Sequence, residues 1–132
     1  MSVRFPYDAG KNPPMPVMPV RVGTVRGVWS SAVPSSIVDT GADITVIPAR
    51  LAGDLRLATS GEVQVRGATG GTVRARLFTA TVDVAGYEVT LPVVGLGREL
   101  IIGRDIINRF TVVLRGPERV LEVEPGVSSA SG

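Results

Sequence analysis

The sequence contains neither cysteine nor histidine, and these two absences exclude several kinds of site. Without cysteine, the chain forms no disulfide and has no thiolate nucleophile. Without histidine, it cannot build a Ser-His-Asp triad, a Cys-His pair or a His-ligated zinc site from its own residues. Acid–base chemistry near neutral pH must therefore come from carboxylates, tyrosine, lysine or a metal.

Long apolar runs and clusters of one charge are also missing. No stretch approaches the roughly 18 apolar residues of a membrane span, and the N-terminus lacks the pattern of a signal peptide. The net charge is only +2, and the basic residues are scattered without a stripe of interleaved aromatics. We therefore expect a cytoplasmic protein that has no membrane or nucleic-acid partner.

The composition favours strands and turns over helices. The chain has 132 residues, which suits one domain, and it is rich in glycine, proline, valine and threonine but only 5% aromatic. Proline recurs through residues 1–16, which predicts an extended N-terminal arm without a core of its own. We expect an all-β domain over residues 17–124, followed by a flexible tail over residues 125–132.

Local patterns predict most of the individual strands. Val17–Val22 is expected to be a strand that Pro19 confines to a sheet edge, and Val25–Val33 a second strand around Trp29. Two β-hairpins are predicted from period-2 alternation, one around Gly67–Gly71 and one around Ala85–Gly86. The remaining predictions are a short helical turn after Pro48, an apolar strand at Leu100–Gly103, a short helix at Arg104–Phe110, and strands at Thr111–Leu114 and Val120–Val123.

The most informative string is Ile37–Ile47, which reads Ile-Val-Asp-Thr-Gly-Ala-Asp-Ile-Thr-Val-Ile. It places Asp39 in a tight Thr-Gly turn between two apolar strands, where the glycine lets backbone amides approach the carboxylate. No other aspartate in the chain is followed by Thr-Gly or Ser-Gly. If the chemistry needs two such carboxylates, two copies of the chain must supply them.

Three motifs in this order resemble the retroviral-type aspartic proteases, the single-domain homodimeric branch of the aspartic peptidases. Asp39–Asp43 is similar to the active-site signature, Gly67–Thr72 lies where the family has its glycine-rich flap tip, and Ile101–Asp105 is similar to the second conserved motif. The resemblance implies a closed, barrel-like retropepsin fold with a β-hairpin flap and one short helix near the C-terminus. It also implies a homodimeric aspartic endopeptidase acting on a peptide or protein substrate, without a metal or other cofactor.

The resemblance also implies roles for individual residues. Asp39 would be the catalytic carboxylate, paired with its copy in the second subunit. Thr40 would hydrogen-bond across the dimer axis, and Gly41 would let the backbone approach the carboxylates and the substrate. Asp43 would contact the substrate or form a buried ion pair with Arg104, and breaking such a pair typically costs about 3–5 kcal/mol.

Further site residues follow from the same resemblance. Ala42 cannot donate the hydroxyl hydrogen bond of the Ser or Thr found in pepsin-like relatives, so we expect a mildly acidic activity optimum. The expected flap residues are Gly67, Ala68, Thr69, Gly70 and Gly71. The expected substrate-pocket residues are Ile47, Val94, Ile102 and Gly103.

Two other functions remain compatible with these motifs. The chain could be a non-catalytic module that keeps the fold and uses its groove to bind a peptide or to dimerise. It could also be a protease that mainly processes itself, with the Pro-rich arm as a removable segment. The Val120–Val123 strand could build the dimer interface, add an edge strand, or do neither.

Overall fold

A computed structural model describes residues 2–67 and 69–126, which form ten strands and two short helices. The predicted all-β class is confirmed. The strands are β1 (Val3–Pro6), β2 (Val17–Gly23), β3 (Val33–Val38), β4 (Val46–Ile47), β5 (Ala58–Arg66), β6 (Thr72–Val84), β7 (Tyr87–Gly95), β8 (Ile101–Ile102), β9 (Phe110–Arg115) and β10 (Val120–Pro125). The helices are α1 (Ala49–Asp54) and α2 (Arg104–Ile107).

The strands form two sheets. One has three strands in the order β1-β10-β9, and the other has seven in the order β2-β3-β8-β4-β7-β6-β5. β2 also pairs with β6, so the larger sheet curls toward itself. Within the described residues, however, β5 pairs only with β6 and stays at an edge. The sheet therefore does not form the closed barrel that was predicted.

The core is built from the alternating apolar positions of these strands. Val20 and Val22 on β2 are fully buried, whereas Arg21 between them is exposed. Val82 and Val84 on β6 are equally buried and pair with β2 in register. Because successive side chains of a strand point to opposite faces, this alternation covers one face with core and leaves the other to solvent.

Pro19 does not confine β2 to an edge as predicted, since β2 pairs with both β3 and β6. Its pairing with β3 shifts register between Met18 and Val20, directly at the proline. A bulge at this point removes the ladder position in which proline's missing N–H would have been needed.

The predicted strand around Trp29 is also wrong. The chain turns at Val25–Gly27, and within this segment a single bridge pairs Trp29 with Gly23. The Arg21 guanidinium lies 4.7 Å from the centre of the Trp29 ring, and the ring packs over Gly23. The tryptophan therefore closes a loop against β2 instead of continuing a ladder.

Both predicted hairpins are present, and they share β6 as one continuous strand. β5 and β6 form the first, where the Gly67 N–H donates to the Gly71 carbonyl at 2.8 Å. β6 and β7 form the second, around Ala85–Gly86. Ala68, at the first tip, lies outside the described residues.

The chain termini contribute the smaller sheet. The predicted N-terminal arm contains β1, which pairs antiparallel with β10, and its Phe5 packs against the core. β10 lies between β1 and β9, so the Val120–Val123 segment is the middle strand of this sheet. Residues 127–132 of the predicted tail lie outside the described residues, and the proposed domain boundaries remain predictions.

The two helices are short. α1 begins directly after Pro48, as the proline predicted, and α2 begins within the second motif at Arg104. In the described part of the chain, neither is long enough to cross a membrane.

Candidate active site

Asp39 lies at the point where β3 leaves the sheet. β3 runs parallel to β8, with Val38 opposite Ile102, and the Asp39 N–H donates to the Ile102 carbonyl at 3.0 Å. The chain then turns, and the Ala42 N–H donates to the Asp39 carbonyl at 3.2 Å. The end of a paired strand therefore fixes the backbone of Asp39, while its side chain stays half-buried and accessible.

The Asp39 carboxylate is oriented by its own loop. Its Oδ1 atom accepts a hydrogen bond from the Gly41 N–H at 2.8 Å. A Cβ atom on Gly41 would lie only 3.1 Å from the same oxygen. Glycine therefore lets the amide approach without a side chain crowding the carboxylate, as its place in the Asp-Thr-Gly turn predicted.

Arg104 connects this loop to α2. Its backbone N–H donates to the Ala42 carbonyl at 2.8 Å, and its guanidinium donates to the Thr40 carbonyl at 2.7 Å. The guanidinium also forms an ion pair with Asp43. One arginine thus binds three successive parts of the loop that carries Asp39.

The Asp43–Arg104 pair was predicted to be buried, but it is exposed. The Asp43 side chain is 84% exposed and that of Arg104 45% exposed. The cost of breaking a buried pair therefore does not apply, because solvent screens these charges. The contact instead serves to position the loop.

A second connection was missed by the sequence analysis. Thr45 is fully buried, and its N–H and hydroxyl donate to the two Asp105 carboxylate oxygens at 2.9 and 2.7 Å. The Thr45 hydroxyl in turn accepts the Gly103 N–H at 3.1 Å. Thr45 lies two residues beyond the first motif and Asp105 is the last residue of Ile101–Asp105, and no pattern along the chain pairs them.

Gly103 is required by packing. A Cβ atom on it would lie 2.7 Å from the carbonyl carbon of Ile44 and 2.8 Å from its oxygen. Both contacts are with backbone, which cannot rotate away. The start of α2 and the end of the active-site loop therefore touch directly at this glycine.

The other expected pocket residues lie in the core. Ile47, Val94 and Ile102 are at most 1% exposed, so none lines a surface of this chain. Ile47 and Ile102 have half-buried neighbours on the opposite face of the sheet, Val46 and Ile101, and Ile44 is half-buried as well. Val94 pairs with Val46 and lies on the same face as Val46, but it is itself buried. Since Val46 pairs directly with Ile101, the two form one apolar patch beside the strand that ends at Asp39.

The expected flap tip is exposed. Gly67, Thr69, Gly70 and Gly71 all face solvent, and Gly70 has a positive φ of 89°. Among the described residues, no hydrogen bond joins this tip to the Asp39 loop. Its role as a flap stays a prediction.

The site offers carboxylate chemistry. Among the described residues, no group of three His, Cys, Asp or Glu side chains is placed to hold a metal ion. One oriented, accessible carboxylate can accept or donate a single proton, and acid and base catalysis in one step requires a second group.

Comparisons with known proteins agree with this geometry. The family model of gag-polyprotein putative aspartyl proteases matches residues 33–109, more than half of the chain and the whole of the site just described. No curated protein matches the sequence significantly.

Solved structures show the same fold. A retropepsin-like aspartic protease from Rickettsia conorii is 18% identical with a TM-score of 0.64, over 95% of this chain and 91% of that one. The EIAV protease in complex with the inhibitor HBY-793 is 21% identical with a TM-score of 0.53, over 71% and 86% of the two chains. At these identities the likeness establishes the fold, and the predicted retropepsin class is confirmed.

Proposed function

Because the chain belongs to the gag-polyprotein putative aspartyl protease family, we propose that it is an aspartic endopeptidase that works as a homodimer. The observation that carries this proposal is the Asp39 carboxylate, held by the Gly41 amide at 2.8 Å yet accessible. The sequence contains one Asp-Thr-Gly, so the second carboxylate must come from a second copy.

The mechanism follows from the electrostatics of two adjacent carboxylates. When they lie about 3 Å apart, two negative charges would repel each other strongly, so the two carboxylates share one proton. The ionised Asp39 accepts a proton from a bound water, which attacks the scissile carbonyl. The protonated Asp39 of the other subunit donates its proton to the carbonyl oxygen, which gives a tetrahedral diol. The carboxyl that took the water's proton then donates it to the leaving amine as the C–N bond breaks, and a diol hydroxyl returns a proton to the other carboxylate.

The substrate would lie as an extended peptide beside the Asp39 loop. Ile44, Val46 and Ile101 provide half-buried apolar surface there, which favours apolar side chains next to the cleaved bond. The β5–β6 hairpin would close over the peptide as a flap, with backbone hydrogen bonds holding it as an added strand. We therefore place the substrate pocket at Ile44, Val46 and Ile101 instead of at the buried Ile47 and Ile102.

The first test is cleavage of unfolded casein across pH 3 to 8. Wild type is compared with Asp39→Asn, with and without a statine-type inhibitor. We expect cleavage with a mildly acidic optimum that the inhibitor blocks and that the variant lacks. Equal cleavage by both proteins would refute the role of Asp39, and a maximum below about pH 3 would contradict the effect assigned to Ala42.

The second test addresses the dimer. Sedimentation equilibrium of the wild type should give a mass that approaches twice that of the chain as concentration rises. Adding excess Asp39→Asn protein should suppress wild-type cleavage, because mixed dimers carry one functional carboxylate. A fully active monomer, or cleavage unaffected by the excess variant, would contradict the shared site. The predicted cytoplasmic location is independent of both tests.

A further inference from the structure

A second concave surface lies between α1 and β6, away from the Asp39 loop. It is a groove of about 520 Å³ that we call the arginine groove, because Arg56, Arg74 and Arg76 all line it. The rest of its lining is largely apolar and includes Leu57, Phe78 and Leu96. Volumes of this size are typical of binding sites.

The three arginines of the groove form no ion pair with a described residue. No acidic residue is part of its described lining. Glu62 lies opposite Arg76 in the β5–β6 register, but no ion pair joins them. No carboxylate among residues 2–67 and 69–126 lies within 4.0 Å of the guanidinium groups of the three lining arginines. Arg50 on α1, by contrast, lies outside the lining and is 3.9 Å from Asp54.

Arg56 occupies a backbone position that normally favours glycine. It follows α1 with a positive φ of 52°, and the Leu57 N–H donates to the Ala52 carbonyl at 3.1 Å across this turn. This is the left-handed position at a helix C-terminus, where a side chain strains the backbone. An arginine here adds strain to the fold and a cation to the groove.

We propose that the arginine groove binds an acidic peptide segment whose carboxylates alternate with apolar side chains. The three unpaired guanidinium groups match carboxylates, since arginine binds them in a planar, two-pronged geometry. The apolar floor between α1 and β6 matches the apolar side chains of such a peptide. A single-stranded nucleic acid would need aromatic side chains on which its bases stack, and Phe78 is the one aromatic residue in the described lining, which favours a peptide over a nucleic acid.

The test measures binding to full-length protein carrying Asp39→Asn, so that the probe is not cleaved and catalysis is not required. The probe is a fluorescein-labelled hexapeptide alternating glutamate and leucine, followed by fluorescence anisotropy. We expect saturable binding that weakens with salt. The same hexapeptide with lysine for glutamate should not bind, and the version with serine for leucine should bind more weakly.

Variants of the groove separate binding from folding. Arg74→Ala combined with Arg76→Ala should weaken binding by about tenfold in total, because each exposed charge–charge contact contributes about threefold. Arg56→Gly should weaken binding while leaving the melting temperature equal to or above that of the parent protein. Arg50→Ala, on the same helix but outside the groove, should bind as the parent does.

Three results would overturn the proposal. One is binding that the arginine substitutions leave unchanged, and another is equal binding of the lysine hexapeptide. The third is tighter, Arg74-dependent binding of a single-stranded oligonucleotide or of phosphatidylserine vesicles, which would assign the groove to a different partner. Whether the wild-type protein cleaves casein tests the proposed protease function, and a negative result there would not affect this binding test.

Discussion

Arginine–carboxylate contacts hold two regions of the molecule, and their settings differ. In the active-site loop, Arg104 binds Asp43 and the Thr40 carbonyl where the backbone has left the sheet. In the terminal sheet, Arg4 and Arg115 flank Glu122 at 2.7 and 3.2 Å on β10. There the backbone is already paired on both sides, with β1 and β9.

The comparison shows that the consequence of an ion pair depends on what else holds the backbone. In the loop, Arg104 holds the backbone around Gly41, whose amide orients the Asp39 carboxylate. In the terminal sheet, the ladder fixes the geometry and the ion pairs only add stability. The active-site contacts should therefore affect catalysis, whereas those of the terminal sheet should affect stability and its pH dependence.

The largest expected effect on stability comes from Gly103→Ala. Its Cβ atom would meet the Ile44 backbone at 2.7 Å, and separating the loop from α2 should cost about 3 kcal/mol together with most activity. Urea unfolding and casein cleavage measure both. Gly116→Ala is the matched control, because its Cβ atom meets nothing within 4 Å. Similar losses in the two variants would show that close packing at Gly103 is unimportant.

Thr45→Val should have the next largest effect. The substitution keeps the side-chain shape but leaves the Gly103 N–H and one Asp105 oxygen without their partner, which should cost about 2 kcal/mol. Activity should fall as well, because the loop loses one of its connections to α2. Thr81→Val is the control, since its hydroxyl pairs with Thr90 on an exposed face and its loss should change stability by less than about 0.5 kcal/mol.

Arg104→Ala compared with Arg4→Ala tests the comparison directly. Each removes an arginine whose side chain is at least 45% exposed, so each should cost little stability. Arg104→Ala should also lower kcat/KM about 100-fold, because a small displacement of a catalytic group has an effect of that order. Arg4→Ala should keep kcat/KM close to wild type. If the two variants lost activity equally, the distinction between the regions would fail.

The smallest effect is expected for Glu122→Gln, and it should depend on pH. Hydrogen bonds from Arg4 and then Arg115 lower the pKa of Glu122 from its ordinary value of about 4.5. Because the folded pKa is the lower one, the stabilisation is present above that ordinary value and is lost as pH falls through the folded pKa. Thermal unfolding should show the variant less stable near neutral pH and equal to wild type in strong acid. A constant difference at every pH would contradict this assignment.

The sequence predicted the parts of the site whose chemistry is local. The Asp-Thr-Gly turn specifies the contact between the Gly41 amide and Asp39, since both lie within three residues. Period-2 alternation on both sides of Gly67–Gly71 and of Ala85–Gly86 likewise predicted the two hairpins. The prediction from Pro19 was wrong because a residue without an N–H donor fits equally well at a bulge inside a sheet and on an edge strand. Trp29 misled because its packing partner, Arg21, belongs to the preceding strand.

Contacts between distant segments were not predictable. Thr45 and Asp105 meet only because β3, β4 and β8 are neighbours in the sheet. Ile47 and Ile102 face the core while Val46 and Ile101 face the other side, and alternation along a two-residue strand does not predict which side that is. Arg56 lies in the same groove as Arg74 and Arg76 only because the fold places α1 near β6.

The sequence by itself determined which chemical groups the site can contain: no thiol, no imidazole and one Asp-Thr-Gly turn. Those properties reside in residue identity and in bonds between near neighbours. Only the tertiary structure decided which apolar side chains are core and which are surface, which buried hydroxyl supports the loop, and where unpaired arginines gather. Each of these depends on sheet order and on packing between segments far apart in the chain, which local patterns do not encode.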